Sequence, residues 1–81
     1  MVYNKLLQAS IDKYKAEISE ALATLEVYFT NPVAIGEHPD LLTEIDKYIE
    51  KLETATGKLE TLNKYFDEHG QVDTDKKLLK G

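Results

Sequence analysis

Between Leu7 and Tyr28 the apolar side chains return at Leu7, Ile11, Tyr14, Ile18, Ala21, Leu25 and Tyr28, in alternating steps of four and three. That is one face of a helix, at a spacing close to the coiled-coil repeat. Leu22 and Phe29 lie beside this seam and widen it, while Asp12, Lys13, Glu17, Glu20 and Glu26 fall outside it. A first helix is predicted over about residues 3–30.

The second half repeats the pattern. Ile45, Leu52, Leu59 and Phe66 recur every seventh residue, flanked on one side by Leu41, Tyr48, Ala55 and Leu62 and on the other by Leu42 and Ile49. The Leu42–Ile49 flank turns polar at Thr56 and Asn63. A straight helix drifts by about 20° per heptad, so a buried stripe slides sideways in this way. Glu44, Asp46, Lys47, Glu50, Lys51, Glu53 and Glu60 make a wet face. Gly57 is the weak point inside, costing about 1 kcal/mol against alanine. It either admits a close neighbour or is simply tolerated.

Boundary signals agree with two helices. Asn31-Pro32 stops the first, because the residue before a proline avoids helical backbone. Pro39 suits the first position of the second helix, Asp40 and Glu44 put negative charge in its first turns, and Gly70 is a stop after His69. The expected layout is a hairpin over residues 1–70, with helices at about 3–30 and 39–69 and a joint at 31–38. Residues 71–81 follow as a flexible tail, a docking tail or a short helical turn.

The fold class is therefore all-α, an antiparallel two-helix hairpin. Its stripes are wider than one partner helix covers, so each hairpin needs a second neighbour. A two-fold dimer closing a four-helix bundle is the expected assembly, with a higher oligomer as the alternative. The residues expected at that interface are Leu7, Ile11, Ile18, Leu25, Ile45, Ile49, Leu52, Leu59 and Phe66.

Composition strengthens the case. An 81-residue chain without cysteine has no disulfide to support a small core, so self-association is the remaining support. A hydrophobic fraction of 42% favours folding over disorder. The net charge of -5, with every basic residue a lysine and those at 5, 13, 15, 47, 51, 58 and 64 interleaved among acids, disfavours direct nucleic-acid binding. No stretch has the length of a membrane span, and the N-terminus lacks the apolar run of a signal peptide. A soluble protein of the cytoplasm is expected, with no membrane partner.

Candidate chemistry is sparse. His38 and His69 lie a helix length apart and read as local, structural residues, His69 in the last turn of the second helix. Glu37-His38 and Glu68-His69 have the wrong spacing for a Glu-x-x-His di-iron pattern, and no stripe position is acidic. Asp67, Glu68, Asp73 and Asp75 do not follow the ligand order of a calcium loop. Ser10 and Ser19 lack a positioned base. Tyr14 and Tyr28 on the seam read as core bodies with a hydroxyl at the rim. No enzyme, cofactor or metal is expected. The joint is different: Val33, Ile35, Gly36 and His38 put apolar groups on a connection. They are either a plug over the bundle end or a knob for a partner protein.

The stretch YFTNPVAIGEHPDLLTEIDKYIEKLETATGKLETLNKYF, residues 28–66, resembles small uncharacterised proteins of marine T4-like tailed phages of the cyanophage type, NPVAIGEHPD above all. The resemblance implies a phage source and the cytoplasm of an infected bacterium. It brings no activity and no binding residues.

The expected function is that of a non-enzymatic, self-associating helical hairpin acting as a protein–protein interaction or structural module. The alternative is an acidic regulator that binds a nucleic-acid-processing enzyme through its Glu/Asp face. A third reading, a ligand or metal held inside the bundle, has the least support.

Overall fold

The computed structural model describes residues 4–31 and 40–73. Two helices, α1 (Lys5–Thr30) and α2 (Leu41–Tyr65), pack against each other. Tyr28 meets Tyr48 near one end, and the Asn4 side chain donates to the His69 carbonyl at the other. The helices are therefore antiparallel. Below, the loop end is the end near Asn31 and Asp40, and the open end is that of Asn4 and His69.

Each helix has a side-chain cap. Asn4, in extended backbone, accepts from the Leu7 N–H at 2.9 Å and opens α1. The chain leaves helical geometry at Asn31, whose N–H still donates to the Val27 carbonyl. Asp40 caps α2 by accepting from the Thr43 N–H at 3.1 Å, and the Thr43 hydroxyl donates to its other oxygen at 2.6 Å. Both carboxylate oxygens are thus engaged. The Thr43 hydroxyl, then its N–H, hold the Asp40 carboxyl below the usual carboxylate range. Asp40 is the boundary of α2 and not part of its first turn, so the helix begins two residues later than its sequence suggests.

The other end of α2 differs more. The helix stops at Tyr65, four residues before the expected end, and Phe66 is already extended. Asp67 explains this. Its Oδ1 accepts from the N–H groups of both His69 and Gln71, at 2.9 and 3.0 Å, which offers the backbone an alternative to the next helical turn. The chain then doubles back: Asp67 N–H donates to the Gln71 carbonyl, Phe66 pairs with Val72, and Asp73 N–H donates to the Tyr65 carbonyl. Gly70 takes the left-handed φ of 81° that this reversal needs. His69 accordingly sits in the reversal and not in the last turn of α2. Residues 71–73 belong to the same turn, and 74–81 lie outside the described residues.

The helices meet along the expected seam of α1. Ala21 and Leu25 are buried, and Leu7, Ile11, Tyr14, Ile18 and Tyr28 are half-buried. On α2 the inward side is Ile45, Leu52 and Leu59 with the Leu41, Tyr48, Ala55 and Leu62 flank. The other flank faces out: Leu42 is 78% exposed and Ile49 45%. Among the described residues the fully enclosed core is small, formed by Ala21, Leu25 and Ala55, and no large side chain is completely covered. Alanines at the contact let helices approach closely, but they bury little area.

Candidate docking groove

The side of the hairpin that carries Ile49 is apolar. Leu22 and Phe29 from α1 and Ile49 and Leu52 from α2 line an open groove, with Leu25 behind them and Ser19, Ala23 and Glu26 at its edge. Leu22 is 53% and Phe29 62% exposed. Phe29 stands seven residues after Leu22, as Ile49 does after Leu42. Seven residues are nearly two full turns, so each pair lies on one side of its helix. Leu22, Phe29 and Ile49 thus line the groove near the loop end, and Leu42 continues their side of the hairpin beyond it, while the exposed Leu6 stands apart at the open end.

The opposite side is charged. Lys51 is two residues from Ile49, about 200° round the helix. Lys51, Lys47 and Lys58 line a second depression with Glu17 and Glu50. Lys51 Nζ lies 2.6 Å from Glu20 Oε1, tying α2 to α1. This contact holds the Lys51 ammonium above its ordinary pKa. Lys58 stands over the Tyr14 ring, and Lys47 and Lys51 lie within 6 Å of the Tyr48 ring centre, at 5.7 and 5.9 Å. Tyr48 in turn meets Tyr28 edge to face at 5.8 Å. Partial burial here, followed by the charge of Glu44, pushes the Tyr28 phenol up. The two sides of one hairpin therefore differ in kind: apolar and open on one, charged and cross-linked on the other.

Of the residues expected at an assembly interface, Leu25 is buried within the single chain. Leu7, Ile11, Ile18, Ile45, Leu52, Leu59 and Phe66 are half-buried. In a two-helix structure the cover on these inward positions comes from the opposing helix. Ile49 alone of that set is exposed on the groove. The candidate partner contact Val33, Ile35, Gly36 and His38 lies outside the described residues.

Ser19 and His69 stand far apart, whereas Ser10 lines a depression at the open end with Asn4 and Gly70. Ser19 is at the groove's edge, fifteen residues along α1 from Asn4, whose side chain contacts His69. That separates hydroxyl and imidazole by about 20 Å, too far for a nucleophile and its base. Among the described residues no three His, Cys, Asp or Glu side chains are grouped to hold a metal ion. No helix among them is long and apolar enough to cross a membrane.

Sequence reasoning missed the Asn4 cap and the Asp67 turn. Asn4 carried a readable signal, a short polar side chain just before an apolar periodic run. Asp67 carried a weaker one, an Asp three residues before a glycine.

The chain matches no family model, no curated protein and no solved structure. Its geometry is therefore the ground for a functional reading.

Proposed function

We propose that this chain is a non-enzymatic helical-hairpin module that acts through protein–protein contact and associates with itself. One observation carries the reading: the Leu22, Phe29 and Ile49 groove is open along a hairpin whose enclosed core, among the described residues, is two alanines and a leucine. Ordering a chain of this length costs conformational entropy at every residue. A core this small, without a disulfide, offsets little of it, so further apolar cover is the natural source of stability. The resemblance of residues 28–66 to small phage proteins supports a role among the proteins of an infected bacterial cytoplasm.

The acidic-regulator reading has less to stand on. Lys47, Lys51 and Lys58 break up the acidic surface of α2, so it does not present a run of negative charge like a phosphate backbone.

Light scattering after size exclusion, across a range of protein concentrations, tests the proposal. A dimer or larger species is expected, and Ile49→Asp is expected to shift it to monomer. A monomer at every concentration, or an Ile49→Asp variant that assembles with unchanged stability, would refute self-association through this groove.

A further inference from the structure

The groove has an internal symmetry that specifies how two copies fit. Tyr28 faces Tyr48, Glu20 faces Lys51, Lys58 faces Tyr14, and Asn4 faces His69. These pairings set Ile49 level with the part of α1 between Leu22 and Phe29. Leu42, two turns nearer the loop end, lies beyond Phe29. Along this side, through the groove and past its end, the exposed side chains therefore run Leu22, Ile49, Phe29, Leu42, alternating between α1 and α2 at intervals of about 5 Å. A half-turn about an axis lying in the plane of this face, across the strip between Ile49 and Phe29, reverses the order of the strip, so that Leu22 of one copy comes level with Leu42 of a second and Ile49 with its Phe29.

Resting on the self-association proposed above, we infer that the occupant of this groove is a second copy, docked face to face through that two-fold axis. Leu22 then meets Leu42 of the other copy in one layer across the groove, and Phe29 meets its Ile49 in the next. Such a contact is isologous and closes at two. Between 45% and 78% of each of these four residues is exposed in the single chain. With ordinary side-chain areas the paired faces bury on the order of 1,000 Å², the lower bound for a specific interface. A second copy is also present whenever the chain is, which suits a surface needed for stability.

The same strip shows why the copies overlap only near their loop ends. Continued towards the open end, the Leu22–Phe29 row becomes Lys15 and Gln8, and the Leu42–Ile49 row becomes Thr56 and Asn63. Two hairpins aligned side by side along their whole length set Lys15 against Lys15 of the other copy, a repulsive and polar contact. The face-to-face two-fold instead carries both open ends outward, into solvent. The resulting dimer is a short four-helix bundle with two protruding arms. One chain is 51 Å long, and the pair is roughly 75 Å long by helix geometry.

Because the chain has no cysteine, introduced thiols report the arrangement directly. Leu22→Cys/Leu42→Cys in one chain is compared with Leu22→Cys alone, each oxidised in air and run on a non-reducing gel, with circular dichroism confirming helicity. Positions 22 and 42 of one chain lie on different helices and about 15 Å apart along the axis, too far to bridge within it. The expected result is a covalent dimer for the double variant and none for the single one. A wild-type dimer in which Leu22→Cys links to itself overturns this arrangement and leaves self-association standing, since it puts the two-fold axis along the helices. A wild-type dimer that neither variant cross-links also overturns it, placing the contact elsewhere. A wild-type monomer overturns both the arrangement and the self-association, and leaves the groove to a different protein.

Discussion

The Asn4 side chain and the Gly70 backbone share one small space at the open end: a Cβ placed on Gly70 would stand 2.7 Å from Asn4 Nδ2. That nitrogen donates to the neighbouring His69 carbonyl, and the Oδ1 of the same side chain caps α1. One asparagine therefore starts the first helix and fastens the turn that follows the second. Gly70→Ala meets both the strain of a positive φ and this clash, and is expected to cost about 1–3 kcal/mol. Asn4→Ala loses the cap, at about 1 kcal/mol. The double variant should cost less than the two single costs together, because the clash disappears with the asparagine. Urea melts of the three variants at one protein concentration measure this; simple additivity would count against the shared space.

Gly57 gives the opposite expectation. Beyond its own helix backbone, a Cβ there meets no atom of the described residues within 4 Å, so among them the glycine serves no close approach. Gly57→Ala should raise stability by about 1 kcal/mol. It should also leave the molar mass unchanged, since residue 57 lies outside the proposed contact. A lost dimer would instead mean that another helix packs on Gly57.

Ala55, 1% exposed, marks where the helices pack tightly. Ala55→Leu forces larger atoms into that contact and should destabilise by about 1–3 kcal/mol. Thermal melting followed by circular dichroism measures it. An unchanged midpoint would show that the helices separate at no cost there.

The Glu20–Lys51 pair is exposed, with 41% of the lysine and 60% of the glutamate side chain accessible. Its contribution is expected to be small and to fade with salt. Glu20→Gln should therefore lower the melting temperature slightly in dilute buffer and not at all in molar salt. The folded pKa of Lys51 is raised, so its contribution is complete below the unfolded pKa and lost as pH rises through the folded one. An effect of Glu20→Gln that persists at a pH above the folded pKa would contradict this assignment.

Asp40 acts at the acid end. Its folded pKa is lowered by Thr43, so its contribution is present above the unfolded pKa and lost as pH falls through the folded value. Asp40→Asn keeps a capping oxygen without the titration. The stability difference between wild type and Asp40→Asn should narrow as the carboxylate is protonated. A constant difference down to the lowest pH would mean that ionisation of Asp40 is not linked to folding.

The two helices and the α1 seam were legible because period alone determines them: every residue of the series from Leu7 to Tyr28 turns inward. The sense of α2 was harder to read. Both flanks of its stripe start apolar, Leu41 and Tyr48 on one side and Leu42 and Ile49 on the other. A helical wheel does not say which flank meets α1. Packing decides it, and the residue covered most completely is a small one, Ala55, which a search for large aliphatics undervalues. The end of α2 was misread for a related reason. Gly70 is a turn residue, but the turn starts earlier, at Asp67, whose carboxylate competes for backbone N–H groups before the glycine is reached. The contrast between an apolar and a charged side was half visible, in the change from Leu42 and Ile49 to Thr56 and Asn63. The bridge from Lys51 to Glu20 was not, because it depends on how the two helices are set against each other.

The clasp at Asn4 and the doubling-back at Asp67 bring both described ends of the chain, Asn4 and Asp73, to the same end of the hairpin. A reporter or solid support joined to either one is held away from the strip at Leu42 and Phe29, so single-point attachment leaves that strip presented outward. In the two-fold pair these attachment points sit at the far tips of opposite arms. If the proposed pair forms, it would act as a spacer, and split reporters joined near Asn4 or Asp73 of each copy are expected to stay unassembled.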